Sequence, residues 1–294
     1  MTKIIDGKIV SAQIKEEIKA NTQLLKQKSG IIPGLALLIV GEDPASQVYV
    51  RNKEKTCLEL GFNSILKQLP IDATEKECLD IIHSWNNDEN IHGILVQLPL
   101  PKQINEQNII KSISLQKDVD GFLPENLGRL VIGLPCYVPC TPNGIIELIK
   151  RYNIETKGKH VVVVGRSNIV GKPIANLLYQ KKENANSIVT ICHTAADDIR
   201  EYTKQADILI AAVGVPELIK ADYIKEGVVI IDVGVNRVSD PSSPKGSRLC
   251  GDVDYNSVFD HCSAITPVPG GVGPMTIAML MQNTYKSAAG EIKF

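Results

Sequence analysis

Apolar residues in this chain gather in short unbroken runs, and longer segments with helical spacing separate these runs. A short apolar run between turn residues is typical of a strand that is buried on both faces, as in a parallel sheet. Six buried strands are predicted, at residues 34–40, 92–98, 161–164, 187–192, 207–213 and 228–233, with a further strand at 64–69. Helical periodicity predicts helices at residues 9–28, 44–60, 74–87, 143–152 and 274–289.

The order of these elements predicts the fold class. Strands and helices alternate in both halves of the chain, which is the pattern of α/β domains with parallel sheets. Residues 103–142 interrupt the pattern with sequence rich in glycine and proline, and we predict loops there. Because 294 residues are enough for two domains, we expect two α/β domains, with the helix at 143–152 as the bridge between them.

Composition and charge narrow the classes of function. A formal net charge of −1 argues against a nucleic-acid-binding surface or a basic membrane-surface patch. No apolar stretch is as long as a membrane-spanning helix, and the first residues lack the apolar run of a signal peptide. The seven cysteines are scattered, and no second pair completes a zinc site with Cys136 and Cys140. We expect a cytoplasmic protein with reduced thiols and without a metal, nucleic-acid or membrane partner.

Residues 161–173 have the form of a phosphate-binding turn. Four valines predict a buried strand, Gly165 turns the chain, and Gly171 allows the strand and the following helix to approach closely. Free N–H groups and the dipole at a helix N-terminus favour a bound anion. Ser167 stands where the usual dinucleotide fingerprint has a glycine, so the motif is a variant. The alternative is an ordinary strand–turn–helix packing unit.

The residues around this turn favour NADP over NAD. NAD-binding sites place an acidic residue at the end of the second strand, where it holds the ribose hydroxyls. Residues 191–194 contain no acid at that position. Arg166 lies in the first turn, where a guanidinium can bind a ribose 2′-phosphate with two hydrogen bonds.

The candidate functional residues in the first half of the chain lie on a predicted helix and at the end of a predicted strand. Tyr49 and Lys53 are four residues apart, so they share one face of the predicted helix. This helix follows the first parallel strand, while Gln97 and Leu98 end the third strand, so all four residues lie near the carboxyl edge, where α/β sheets bind ligands. A solvated lysine and a buried structural amide are the alternatives for Lys53 and Gln97.

Two glycine-containing loops are further candidates. Asp118 and Asp120 precede Gly121 without the spacing of a calcium loop. Asp118 is interpreted as a loop cap, whereas Asp120 can accept hydrogen bonds from the amine edge of a ligand. The loop at 270–273 carries little side-chain bulk, so its backbone can lie against a flat ligand, although a plain helix-initiating turn is the alternative.

Several motifs together resemble one family, the bifunctional methylenetetrahydrofolate dehydrogenase/methenyltetrahydrofolate cyclohydrolases. The matching segments are residues 46–55, 96–101, 117–121, 139–142, 165–173, 232–236, 251–254 and 267–276, in family order along nearly the whole chain. The resemblance implies two α/β domains that flank a cleft, the second of them a Rossmann-like NADP-binding domain with a parallel sheet. It implies a folate-binding catalytic domain at 1–142 that helix 275–294 completes, an NADP-binding domain at 143–274, and a homodimer joined through the cofactor domains.

The resemblance also implies roles for individual residues. Lys53 matches the catalytic lysine, Gln97 the glutamine that positions it, and Tyr49 the ring that stacks on the pterin. Asp120 matches the carboxylate that binds the pterin edge, and Val235 the apolar contact beside the nicotinamide. The implied substrate-binding residues are Tyr49, Gln97, Leu98, Asp120, Pro269, Gly270, Gly271 and Thr276. The implied cofactor-binding residues are Gly165, Arg166, Ser167, Thr194 and Val235, and no metal is implied.

The expected chemistry therefore has two steps. Methylenetetrahydrofolate loses a hydride to NADP, and water then opens the methenyl product to formyltetrahydrofolate. One alternative is a dehydrogenase for an amino or hydroxy acid, in which His193 is the nearest candidate base. Another is a nucleotide-binding module without catalysis. The segment at 181–187 is longer than in many members, and we expect it beside the adenosine, where it would affect cofactor preference.

Overall fold

A computed structural model describes residues 1–243 and 246–294. The chain forms two compact units that are each built from two segments. Residues 1–12 and 141–276 form the six-stranded unit, and residues 13–140 and 277–294 form the three-stranded unit. The division of functions between residues 1–142 and 143–274 stays a prediction.

Strands and helices alternate along most of the chain. The strands are β1 (Lys3–Ile4), β2 (Gly34–Val40), β3 (Asn63–Leu69), β4 (Gly93–Val96), β5 (His160–Val164), β6 (Ile188–Cys192), β7 (Ile208–Ala211), β8 (Val228–Asp232), β9 (Asn236–Ser239), β10 (Ser247–Cys250) and β11 (Cys262–Ile265). The helices are α1 (Gly7–Ser29), α2 (Pro44–Glu59), α3 (Glu75–Asn87), α4 (Glu106–Ser112), α5 (Pro124–Ile132), α6 (Cys140–Arg151), α7 (Gly171–Leu178), α8 (Arg200–Thr203), α9 (Tyr255–Val258) and α10 (Val272–Ala288). The predicted α/β class is confirmed.

The three-stranded unit has a parallel sheet with the order β3-β2-β4. Every residue of the central strand β2 is buried, as its unbroken apolar sequence predicts. The helix after β2 begins where the sequence indicates, because the Asp43 side chain accepts a hydrogen bond from Ser46 N and Pro44 occupies the first turn. Helix α2 thus begins four residues after the carboxyl end of β2.

The prediction of loops across residues 103–142 was wrong. This region contains α4, α5 and the first three residues of α6. Asn105 caps α4, Pro124 begins α5, and Gly133 ends α5 in the left-handed conformation. Proline and glycine here mark the ends of short helices and do not exclude helices between them.

The six-stranded unit has an all-parallel sheet with the order β1-β11-β8-β7-β5-β6. Its core contains fully buried residues of the central strands, including Val162, Val164, Leu209 and Ile230.

The prediction that residues 187–192 form a buried strand was wrong in one respect. The strand exists as β6, but it lies at the sheet edge, where the Ile188 side chain is 65% exposed. Apolar composition alone does not distinguish an edge strand from a central one.

The segment at 181–187 does not lie beside the predicted phosphate turn. The carbonyl of Asn186 accepts from Gly158 N at 2.9 Å, and the carbonyl of Ala185 accepts from Thr156 Oγ1 at 2.7 Å. Residues 156–158 precede β5, so this contact lies at the amino edge of the sheet. Gly165 and Thr194 follow β5 and β6 at the opposite edge. The expectation that this segment adjoins the adenosine was therefore wrong.

The described ranges contain no helix with both the length and the apolarity of a membrane span.

We predict that Ile210→Ala lowers the free energy of unfolding by about 2–5 kcal/mol, because Ile210 is fully buried in β7 and its loss leaves a cavity. Urea unfolding followed by circular dichroism measures the change. Ile4→Ala in β1, the other edge strand of this sheet, is the matched control, because Ile4 is 48% exposed and its loss should change stability by about 0.5 kcal/mol or less. Equal losses in the two variants would contradict the assigned positions of these strands.

Candidate functional site

The three-stranded unit brings Lys53 and Gln97 together. Lys53 lies on α2, and its Nζ donates a hydrogen bond to Gln97 Oε1 at 3.0 Å. The backbone N–H of Gln97 donates to the carbonyl of Leu38 in β2 at 2.8 Å. Its side-chain Nε2 donates to the carbonyl of Leu98 at 2.7 Å, which turns the amide oxygen toward the lysine. The Gln97 amide is thus held in one orientation.

Burial lowers the pKa of Lys53, while nearby Asp120 and Cys140 oppose this effect. Burial raises the pKa of Asp120, which the ammonium of Lys53 and a hydrogen bond with the Cys140 thiol oppose. A partly buried lysine of this kind holds its proton less tightly than a solvated one. Lys53 can therefore give up and regain a proton nearer to neutral pH than an ordinary lysine.

Cys140 is a site residue that the sequence analysis missed. Its side chain is buried, burial raises the pKa of its thiol well above the ordinary value, and its Sγ donates to the carbonyl of Val119 at 3.6 Å. The segment at 139–142 was noted only as part of a motif, and the cysteines were interpreted as structural. Only the packing of the start of α6 against residues 118–120 reveals its place beside Asp120.

Asp118 holds the loop that carries Asp120. Its buried carboxylate accepts hydrogen bonds from Phe122 N at 3.2 Å, Leu123 N at 2.8 Å and Asn126 Nδ2 at 2.7 Å. Burial raises the pKa of Asp118 to about 6, although these donors favour the ionised form. The interpretation of Asp118 as a loop cap is confirmed.

Apolar surface borders the Lys53 site. Tyr49 lies one helical turn before Lys53 on α2, and its side chain is 49% exposed. Leu98 is partly buried and directly follows Gln97. A half-exposed ring near a partly buried lysine can stack on a flat ligand while the lysine reaches one edge of that ligand.

In the six-stranded unit, Gly165 and Ser167 form a compact turn before α7. A Cβ atom at Gly165 would overlap the carbonyl oxygen of Ala212, and Gly165 has a φ of +123°. Ser167 Oγ accepts from the N–H groups of Val170 and Gly171 at 3.2 and 3.3 Å. The serine that replaces the usual glycine therefore caps the helix, while neighbouring Arg166 is exposed. Only a glycine at position 165 therefore allows this turn to approach the segment after β7 so closely.

Other predicted residues follow strands of the same sheet. Thr194 follows β6 and Val235 follows β8, and both residues are exposed at the carboxyl edge. His193, the base of the alternative dehydrogenase, accepts a hydrogen bond from Ala195 N at 3.3 Å, which is a turn-capping contact.

The glycine loop after β11 also belongs to the six-stranded unit. The carbonyl of Gly270 accepts from Gly7 N at 2.9 Å, and a Cβ atom at Gly271 would lie 2.6 Å from the Thr266 side chain. Thr276 Oγ1 and Thr141 Oγ1 are 3.0 Å apart. The predicted substrate residues thus divide between the units, with Pro269, Gly270, Gly271 and Thr276 in this one and Tyr49, Lys53, Gln97, Leu98 and Asp120 in the other.

No group of three or more histidine, cysteine or acidic side chains within residues 1–243 and 246–294 is arranged to hold a metal ion.

A dinucleotide-type parallel sheet, together with a second α/β unit that carries a partly buried lysine of lowered pKa, is typical of a nucleotide-dependent enzyme. The model of the tetrahydrofolate dehydrogenase/cyclohydrolase catalytic domain matches residues 5–120, and the model of the NAD(P)-binding domain of the same family matches residues 139–292. This chain belongs to the tetrahydrofolate dehydrogenase/cyclohydrolase family. The family resemblance noted in the sequence is confirmed, and the two alternative functions are not supported.

Individual relatives agree with this assignment. The bifunctional protein FolD of Chlorobium chlorochromatii is 61% identical over 97% of each chain. The crystal structure of the bifunctional enzyme FolD from Campylobacter jejuni is 47% identical, with a TM-score of 0.93 over 99% of this chain and 100% of that chain. The Trypanosoma brucei methylenetetrahydrofolate dehydrogenase-cyclohydrolase, whose structure contains NADP and an inhibitor, is 38% identical, with a TM-score of 0.93 over 99% of this chain and 98% of that chain.

We predict that Asp118→Ala lowers the free energy of unfolding by at least about 1–3 kcal/mol, because it leaves buried donors without an acceptor. Thermal and urea unfolding measure this loss. Asp120→Ala serves for comparison and should reduce stability less, because Asp120 is assigned to ligand binding and not to the loop. A larger loss in Asp120→Ala would reverse the two assignments.

Proposed function

We propose that this chain oxidises 5,10-methylenetetrahydrofolate to 5,10-methenyltetrahydrofolate with NADP and hydrolyses the product to 10-formyltetrahydrofolate. Family membership supports both activities. The main structural support is the hydrogen bond from Lys53 to Gln97 and the burial that lowers the pKa of Lys53, because hydrolysis needs a group that transfers protons.

The direct test is a mixture of the protein, NADP and methylenetetrahydrofolate. Absorbance of reduced nicotinamide should rise, and the absorbance of methenyltetrahydrofolate should appear and then decay. Absence of the first signal would refute the dehydrogenase assignment, and a stable second signal would refute the cyclohydrolase assignment.

The dehydrogenase step requires orientation more than proton transfer. NADP, when bound, accepts a hydride from the methylene carbon of the folate. We assign the cofactor phosphates to Gly165, Arg166 and Ser167, because that turn lies between the carboxyl end of β5 and the start of α7 and Arg166 is exposed there. Thr194 and Val235 are assigned to the adenosine and nicotinamide sides.

The folate is assigned to Tyr49, Asp120 and Leu98 of the three-stranded unit. Tyr49 stacks on the pterin ring, and Asp120 accepts hydrogen bonds from its amine edge. Pro269, Gly270, Gly271 and Thr276 of the other unit stay predicted substrate-binding residues by the family resemblance alone. The half-exposed Tyr49 ring, one helical turn from Lys53, supports this arrangement because stacking there leaves the lysine at the edge of the ring system.

The hydrolysis step uses Lys53 as the proton carrier. As water forms a bond to the methenyl carbon, it loses a proton to neutral Lys53. When the ring carbon–nitrogen bond breaks, the hydroxyl oxygen loses a proton and the nitrogen gains one, so that one proton is released overall. Gln97 keeps Lys53 in place through the 3.0 Å hydrogen bond. Because burial lowers the pKa of Lys53, a larger neutral fraction is available near neutral pH.

We also propose that the protein is a cytoplasmic homodimer joined through the six-stranded units. The exposed edge strand β6, with Ile188 and Ile191 at its surface, supports this interface because an open apolar strand edge favours pairing. Sedimentation equilibrium of the purified protein tests the dimer, and a monomer at micromolar concentration would refute it.

We predict that Lys53→Gln reduces cyclohydrolase activity by about a hundred- to ten-thousand-fold, because glutamine cannot carry the proton. Dehydrogenase activity should fall less, since hydride transfer needs no proton from the protein. The measurements are decay of supplied methenyltetrahydrofolate and formation of reduced NADP.

Lys55→Gln is the matched control for this variant. Lys55 lies on the same helix but is exposed, where it pairs with Glu59 at 3.8 Å. Both activities of this control should match those of the wild type. If Lys53→Gln lowers both activities by the same factor, Lys53 holds the substrate and does not carry the proton.

We predict that Arg166→Ala raises the Michaelis constant for NADP far more than that for NAD. Loss of a charged contact to the 2′-phosphate weakens NADP binding by about 1.5–3 kcal/mol. NAD has no 2′-phosphate, so its binding does not depend on this contact. Steady-state kinetics with each cofactor measures the difference. Lys181→Ala removes an exposed cation from the segment at the amino edge and should leave both constants unchanged. A wild type that prefers NAD would contradict the assignment of Arg166.

A further inference from the structure

Two aspartates at the carboxyl edge of the six-stranded sheet have no role in the chemistry described above. Asp232 is the last residue of β8, Asp252 follows β10, and both are buried. They belong to the motifs at 232–236 and 251–254, in which only Val235 has an assigned role. A buried carboxylate is costly unless hydrogen bonds satisfy it, so its partners indicate what it does.

Asp232 accepts three backbone N–H groups. Its Oδ1 accepts from Gly234 N at 2.9 Å and from Asp252 N at 3.0 Å, and its Oδ2 accepts from Val253 N at 3.0 Å. Its own N–H donates to Thr266 Oγ1 at 2.7 Å. Asp232 therefore ties the segment after β8 to the segments after β10 and β11.

Asp252 joins the segments that follow two other strands. Its Oδ2 accepts from Val213 N at 2.7 Å and from Gly214 N at 2.9 Å, just beyond the end of β7. Its Oδ1 accepts from Asn236 Nδ2 at 2.9 Å, at the start of β9. Asp232 and Asp252 are here called the carboxylate pair. Together they tie the segments that follow β7, β8, β10 and β11 to one another.

The backbone packs directly against the carboxylate pair. A Cβ atom at Gly251 would overlap Asp232 Oδ2, and a Cβ atom at Gly234 would overlap Asp252 Oδ1. Neither position can take a side chain unless a carboxylate moves. The two glycines of these motifs are therefore explained by the carboxylates, and not by a ligand that approaches the backbone.

We propose that the carboxylate pair is a positioning device for the nicotinamide end of the cofactor. Both chain neighbours of Val235 are held by the pair, Gly234 through Asp232 and Asn236 through Asp252. Val235 itself is 50% exposed, so its position is fixed while its side chain remains available to a ligand. Since this inference rests on the proposed function, the wild-type dehydrogenase activity is measured in the same experiment.

The pair should act on one end of the cofactor only. Arg166, Ser167 and Thr194, which are assigned to the phosphates and the adenosine, follow β5 and β6. The segments tied by the carboxylate pair follow β7, β8, β10 and β11. Loss of the pair should therefore disturb the nicotinamide and leave the adenosine in place.

The test variant is Asp252→Asn, which keeps the size of the side chain but exchanges one acceptor oxygen for a donor. At least one of the three donors to Asp252 then loses its acceptor. We expect the dehydrogenase kcat to fall by about ten- to a hundredfold, because small displacements of reacting groups have effects of this size. Affinity for adenosine 2′,5′-bisphosphate, measured by calorimetry, and cyclohydrolase activity should stay near wild type.

A kinetic isotope effect separates positioning from a general loss of structure. With folate deuterated at the methylene carbon, the primary isotope effect on kcat should increase in Asp252→Asn, because hydride transfer becomes slower relative to the other steps. Asp207→Asn is the matched control, since Asp207 accepts from His160 N at 2.8 Å and from Lys225 Nζ at 2.6 Å at the amino edge of the same sheet. This control should leave the isotope effect unchanged.

A milder variant covers the case in which Asp252→Asn does not fold. Asn236→Ala removes only the side-chain bond to Asp252 and should give a smaller change in the same direction. An unchanged kcat and isotope effect in the folded variants, or equal losses in both activities, would overturn the inference while the wild type remains active. A wild type without NADP-dependent oxidation would refute the proposed function, and the inference with it.

Discussion

The hydrogen bond between Lys53 and Gln97 is the interaction on which the chemistry of the three-stranded unit depends. An ammonium group that is withdrawn from water needs a partner that accepts its hydrogen bond. A neutral amide stabilises the protonated form of the lysine less than a carboxylate does, so it raises the pKa less. The amide oxygen of Gln97 meets this need, and the rest of the glutamine is held by Leu38 in β2 and by Leu98. The parallel pairing of β2 with β4 thus sets the position of the amide, while burial lowers the pKa of the lysine that the amide holds.

In both units, the candidate functional residues lie near the carboxyl edge of the parallel sheet. The two carboxyl edges, however, are built differently. In the three-stranded unit, ionisable side chains lie beside one another: Lys53 and Asp120 are partly buried, and the loop-forming Asp118 is fully buried. In the six-stranded unit, buried carboxylates organise backbone segments, while Arg166, Thr194 and Val235 are exposed at the same edge. The first arrangement suits proton transfer, and the second suits the orientation of a large flat cofactor.

Sequence reasoning succeeded where a local pattern has one physical meaning and failed where the pattern has several. Asp43 followed by Pro44 predicts the start of a helix, and the seven apolar or glycine residues of β2 predict a buried strand; both are found. In residues 103–142, by contrast, prolines and glycines that indicate loops also mark the ends of short helices. The apolar run of β6 has the composition of a central strand, yet the strand lies at the edge, because strand order depends on crossovers that composition does not record.

The sequence by itself determined the α/β class, the family and the candidate residues Tyr49, Lys53, Gln97 and Asp120, because strand–helix alternation and short motifs are local properties of the chain. The tertiary structure alone decided how these residues act on one another. Burial lowers the pKa of Lys53, Cys140 reaches Asp120 from a distant part of the chain, and Asp252 joins segments that leave three different strands. Desolvation and hydrogen bonds between remote segments exist only after the chain has folded, so no local pattern of residues encodes them.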